Sequence, residues 1–158
     1  MEFGRLKVET EYLRTEIGFL IASRWFMQFT FEKLEVYKHA IDWVKESENI
    51  IERSRHGMSR TLADQLSRAS LSIPLNIAEG NGRWHAGDKR QFFWIARGSV
   101  FECVPIIDVL RIKNLISEIE REALRKRLEM IGKMLTSLIQ SLETKSSAEA
   151  SSSETPSS

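Results

Sequence analysis

Along most of the chain, apolar residues recur every three or four positions. Phe31, Leu34, Tyr37, Ile41, Val44 and Ile51 keep that step with one gap of seven, and Ala40 stands beside the stripe. This spacing predicts one face of an α-helix. Glu32, Glu35, Asp42, Lys45, Glu46 and Glu52 fill the other face. Thr30 can cap a start at Phe31, although Lys33 stands where a capping box prefers an acid. Gly57, after His56, offers a left-handed stop. A second helix opens at Ser59 or Thr61 and keeps its step through Leu62, Leu66, Ala69, Ile73 and Ile77. Ala69, Ser70, Ser72 and Ala78 are small, so a neighbouring helix can come close. Pro74 lies inside this run and has no N–H for the carbonyl of Ser70, so a kink is expected. Gly80 and Gly82 are expected to terminate the helix.

The pattern resumes over about 88–113, where Phe92, Ala96, Ser99, Cys103, Ile106 and Leu110 alternate steps of four and three. Phe93, Ile95, Val100 and Ile107 widen this apolar face. Pro105 should bend the helix, and Gly98-Ser99 gives another point of close approach. The most regular stripe is the last: Leu124, Leu128, Ile131, Leu135, Leu138 and Leu142, within a helix over about 117–143. Its spacing is heptad-like. Glu118, Glu120 and Glu122 open it and Arg125, Lys126, Arg127 and Lys133 follow, a polarity that suits the helix dipole. Four amphipathic helices with short connections predict an all-α, antiparallel up-down-up-down four-helix bundle over residues 30–143. No strand alternation, internal repeat or second domain is visible.

The flanks differ. Residues 1–29 carry four basic and four acidic residues and no sustained period. Two readings fit: a start assigned upstream of a true beginning near Met27, or a poorly ordered, loosely docked N-terminal extension. Residues 144–158 are Ser-rich and apolar-poor, which predicts a disordered tail.

Composition narrows the function. The chain has 158 residues and a formal net charge of +1, so nucleic-acid affinity would need a local patch. One cysteine, Cys103, allows neither an internal disulfide nor a multi-cysteine metal site, and fits a reducing cytoplasm. The apolar run Ile17–Ser23 ends at Arg24, well short of the roughly 20 residues a membrane span needs. Glu2, Glu9, Glu11 and Glu16 spoil the basic leader of a signal peptide.

The least generic run is Ser72-Ile73-Pro74-Leu75-Asn76-Ile77-Ala78-Glu79-Gly80-Asn81-Gly82-Arg83, and three blocks stand out with it, residues 31–40, 66–80 and 92–102. In order and spacing, these blocks resemble the bacterial four helix bundle protein family, also called the 23S rRNA intervening-sequence protein family. The resemblance covers about residues 30–142. It implies antiparallel bundles that assemble into homopentameric barrels, some encoded within intervening sequences of 23S rRNA genes. A related branch serves diversity-generating retroelements, binding a reverse transcriptase and nucleic acid through a basic barrel surface. The near-neutral charge of this chain departs from that branch.

Candidate site residues follow from local charge. From Arg60 to Arg97, six cations stand against Asp64, Glu79 and Asp88. Arg83, Trp84, His85, Lys89 and Arg90 gather at the glycine turn, where an aromatic beside arginine can stack on an unpaired base. Against this stands a solvated loop with its tryptophan tucked onto the end of the bundle. Pro74, Asn76, Glu79, Gly80 and Gly82 read as structural. Asn76 can satisfy backbone groups loosened by Pro74, and Glu79 can pair with Arg83 one turn on. Arg68 and Glu102 are expected to form an ion pair between helices or between subunits. His39, His56 and His85 have no metal-ligand spacing, Gly80-Asn81-Gly82 lacks the context of a phosphate loop, and Cys103 falls on an apolar stripe. No catalytic residue, metal or cofactor is expected. The expected function is therefore a non-enzymatic, homo-oligomeric scaffold that binds RNA or a ribonucleoprotein partner through the basic turn. The alternatives are a protein–protein adaptor without nucleic acid and a helical-bundle nuclease.

Overall fold

The computed structural model describes residues 29–152, with side chains through Thr144. The readings for the N-terminal extension (Phe29 apart) and for the tail beyond Ser152 lie outside the described residues. Four helices make up the fold: α1 Glu35–Arg53, α2 Arg60–Gly82, α3 Ala86–Ile112 and α4 Glu118–Ser152. Among the described residues there is no strand.

A 3-10 turn, Thr30–Lys33, precedes α1, and Leu34 is extended at φ −74°, ψ 123°. Thr30 therefore does not cap the first helix as expected; its Oγ1 instead accepts a hydrogen bond from Asn81 Nδ2. The buried stripe of α1 is Val36, Ala40, Trp43, Ser47 and Ile50, one residue out of step with the expected one. Ile41 is exposed. Both stripes obey helical spacing, but the buried one contains Trp43, the largest apolar side chain available. Ser47 disguises it in the sequence. Its hydroxyl donates back to the carbonyl of Val44 at 2.8 Å, which lets a serine sit in the core.

The turns also depart from expectation. No glycine among the described residues has a positive φ, so Gly57 is not a left-handed stop; that conformation falls to Asn114, at φ 57°. Asparagine tolerates it because its short side chain can bond locally. Of the two starts expected for α2, the structure takes Ser59, whose side chain caps the helix by accepting from the Leu62 N–H at 3.3 Å. Gly82 is the last residue of α2, as expected, whereas Gly80 lies within the helix; Arg83 beyond it is extended. Pro74 is buried and the helix continues on both sides of it. The backbone of α4 runs on to Ser152, past the expected end at Glu143. Thr144–Ser152 contains no glycine or proline and includes Lys145, Ala148, Glu149 and Ala150, all compatible with a helix.

Each helix packs against its neighbours in the chain, and α1 also touches α4, closing the ring around one core. Leu66, Ile73, Ile77, Ile107, Leu110, Leu128, Ile131 and Leu135 are fully buried there. At one end a capping box starts α4. The Glu120 N–H donates to Ser117 Oγ at 3.2 Å, and Ser117 N–H donates to Glu120 Oε2 at 2.8 Å. Arg53, at the end of α1, donates to the other carboxylate oxygen at 2.6 Å. The Ser117 N–H and then Arg53 hold the Glu120 carboxyl down to about 2. Glu120→Gln should lower stability by about 1 kcal/mol at neutral pH. Because the folded pKa is depressed, the contribution is present above the ordinary carboxylate value and fades as pH falls from about 4.5 to about 2. Urea unfolding of both proteins across that window should show the difference shrinking.

Candidate functional site

Glycine is required at position 80 because α3 begins almost on top of it. A Cβ there would lie 2.9 Å from Phe93 Cε1, 3.0 Å from Phe92 Cβ and 3.1 Å from the Lys89 carbonyl oxygen. Farther along the same interface, Ser99 Oγ lies 2.8 Å from Ser72 Oγ, and Asn76 Nδ2 donates to Ser72 Oγ at 3.0 Å. Asn76 also donates to the Ser72 carbonyl at 2.8 Å. It thus ties down the backbone beside Pro74, though at Ser72 rather than at Ser70. Ser70 Oγ and Cys103 Sγ meet at 3.8 Å in the core. Burial pushes the Cys103 thiol up to about 11, so it stays neutral at physiological pH.

This packing leaves three residues, Arg83, Trp84 and His85, to turn the chain from α2 into α3. Arg83 is anchored: it pairs with Glu79 one helical turn back, and its guanidinium lies 4.7 Å over the Phe92 ring. Trp84 is not tucked onto the bundle. It is 91% exposed, the most exposed large apolar side chain described. His85 is exposed at the N-cap of α3 without a side-chain cap bond. Lys89 and Arg90 are half-buried on the first turns of α3, and Arg90 approaches Glu143 at 3.9 Å. The turn thus gathers Arg83, Trp84, His85, Lys89 and Arg90 at one end of the helices. Two of its arginines are engaged with carboxylates, and Trp84 is left in water.

Arg68 and Glu102 are both exposed and make no ion pair with each other within the chain. Their long side chains face solvent, where pairing returns little. Among the described residues, no three His, Cys, Asp or Glu side chains cluster as metal ligands, and no helix is long and apolar enough to cross a membrane.

One feature escapes the sequence pattern. Between α3 and α4 lies an open groove of about 1020 Å³. At its edge the Arg97 guanidinium sits 5.1 Å from the Trp94 ring and 4.5 Å from the Phe101 ring. Its Nε donates to Thr136 Oγ1 at 3.0 Å. Asp108 accepts from Arg121 at 3.0 Å and from Arg125 at 2.6 Å. The signal that could have revealed the outer edge is a second stripe on α3. Trp94, Gly98, Phe101, Pro105, Val109 and Ile112 recur at steps of three and four, and all are exposed.

The family model for the 23S rRNA-intervening sequence protein matches residues 32–137. The chain belongs to this family. No curated protein matches it. The match to the intervening-sequence protein model takes in α1, α2, α3 and α4 as far as Ser137, and so includes both the exposed turn and the α3–α4 groove. The stretch past Ser137 toward the end of α4 falls outside it.

The two glycines of this turn should respond in opposite ways. Gly80→Ala should destabilise by about 1–3 kcal/mol, because the Phe93 ring, the Phe92 Cβ and a backbone carbonyl must give way. Gly82→Ala meets nothing within 4 Å and should stabilise by up to about 1 kcal/mol through helix propensity. Denaturant midpoints of the two variants test the close approach directly.

Proposed function

We propose that this member of the 23S rRNA-intervening sequence protein family is a non-enzymatic, homo-oligomeric helical scaffold that contacts single-stranded RNA in the cytoplasm through its α2–α3 turn. The observation that carries the reading is Trp84, 91% exposed among Arg83, His85, Lys89 and Arg90. A bare indole next to cations is a stacking platform, and base stacking on an aromatic is worth about 1–3 kcal/mol. Among the described residues, almost nothing covers that ring.

The bundle is antiparallel and up-down-up-down in this reading. Support comes from pairs that run in opposite directions along α2 and α3: Ser70 with Cys103, Ser72 with Ser99, and Gly80 with Phe93. Arg53 with Glu120 and Arg121 with Asp108 give the same sense for α4 against α1 and α3. Self-association, with a pentamer as the assembly the family resemblance implies, is supported by apolar side chains left outside. Leu71, Leu75 and Ile95 are exposed on α2 and α3, and Ile112 and Ile119 are 78% and 82% exposed at the opposite turn. Such a ring would repeat the Trp84 turn around one rim. The absence of a catalytic role rests on Cys103 being buried and neutral, and on His39, His56 and His85 standing on separate elements.

Fluorescence anisotropy with a labelled single-stranded RNA tests the reading. Binding should weaken as salt rises. Trp84→Ala should cost about 1–3 kcal/mol with little change in salt slope. Lys89→Ala should reduce the slope by about 0.7 if it meets one phosphate. No binding at low salt, or Trp84→Ala binding as the parent does, would contradict it. Light scattering showing only monomer would remove the assembly.

A further inference from the structure

We propose that the α3–α4 groove receives an acidic amphipathic helix from a partner protein. This site is separate from the Trp84 turn and does not depend on RNA binding there. The groove follows α4 from Arg121 to Ser137. Sixteen helical rises make that about 24 Å, the length of a helix of about 16 residues. Its apolar lining is Val104 with Phe101 at the edge, and Val100, Leu128 and Gly132 lie buried beneath as its floor. A Cβ on Gly132 would stand 3.8 Å from Val100 Cγ1, so the glycine keeps the floor low. A helix laid along such a floor buries its own apolar stripe.

The rim selects the charge. Arg97, Arg121, Arg125, Lys126 and Lys133 line the groove against Glu122 and Glu129. Asp108, behind them, brings the excess down to two. Arg121 and Arg125 share Asp108, and Lys133 pairs with Glu129 at 2.6 Å. Arg97 and Lys126 have no carboxylate partner among the described residues. Arg97 is the anchor. Two rings and Thr136 fix its guanidinium, and its two terminal amino groups have no acceptor among the described residues. A fork already held in place binds a carboxylate with little further ordering. Trp94 and Phe101 each hold Arg97 against one face and stay partly exposed, at 46% and 58%, so competition by RNA is the arm of the test that separates a nucleic-acid occupant from a peptide.

The test uses the full chain and two labelled synthetic helices of about 16 residues. One carries leucines on one face flanked by glutamates; the other has lysines in place of the glutamates. The acidic peptide should bind, and the basic one should not. Arg97→Ala should weaken the acidic peptide tenfold or more, and Arg97→Lys should recover only part of it, because lysine lacks the fork. Lys126→Glu changes an exposed side chain that makes no hydrogen bond or ion pair among the described residues, so it separates lost binding from lost structure; it too should weaken the peptide. Trp84→Ala should leave peptide binding unchanged, so that this proposal and the RNA reading fail independently. The proposal is overturned if the acidic peptide does not bind, if the basic one binds as well, or if an oligouridylate displaces the acidic peptide. It is also overturned if Lys126→Glu dissociates the oligomer, which would assign the groove to a second copy of the chain.

Discussion

The near-contact of α2 with α3 at Gly80 is the constraint on which the rest depends. With no Cβ at that position, the backbone of Lys89, the Cβ of Phe92 and the ring of Phe93 can rest against α2. The small residues below it, Ser70, Ser72 and Ser99, keep the two helices close along the interface, with polar contacts rather than large side chains between them. Close packing this near the helix ends leaves only three residues for the turn. Arg83 is consumed in holding it, through Glu79 and the Phe92 ring. Trp84, next in line, stands in solvent, 91% exposed.

The chain's charge works through placement rather than amount. A net charge of +1 provides no long-range attraction for a polyanion. Most described cations are already matched with carboxylates: Arg53 with Glu120, Arg83 with Glu79, Arg111 with Glu118, Arg127 with Glu46. Pairs this exposed add little stability, but they decide which cations remain available. Among the described residues, Lys89 at the turn and Arg97 with Lys126 beside the groove have no carboxylate of their own, as is also true of Lys33, Lys45, Arg60, Arg68 and Lys113.

Much of the fold was legible. Helical periodicity located all four helices, because Leu66, Ile77, Cys103, Leu128 and Leu135 recur at spacings that only a helix places on one face. The small residues around Ser72 correctly signalled a close approach. The register of α1 was not legible, because two stripes there obey the same period and a serine sits in the true one. Gly80 and Gly82 both suggested a helix stop, and only Gly82 is one, since composition alone cannot distinguish a glycine at a helix end from one needed for space. The turn itself was readable from charge and aromatics, but whether Trp84 was tucked or bare depended on what surface lay beneath it. The groove escaped because it belongs to two helices, and Arg97 meets Trp94, Phe101 and Thr136 only once α4 lies beside α3.

The central claim is that the α2–α3 turn is where RNA touches this family member. Photo-crosslinking of the full chain to single-stranded RNA containing 4-thiouridine, followed by mapping of the adducted peptide, tests it most directly. The account predicts that the adduct falls on the peptide containing Trp84 and disappears when excess unlabelled RNA is added. An adduct confined to α4, or none at low salt, would contradict it.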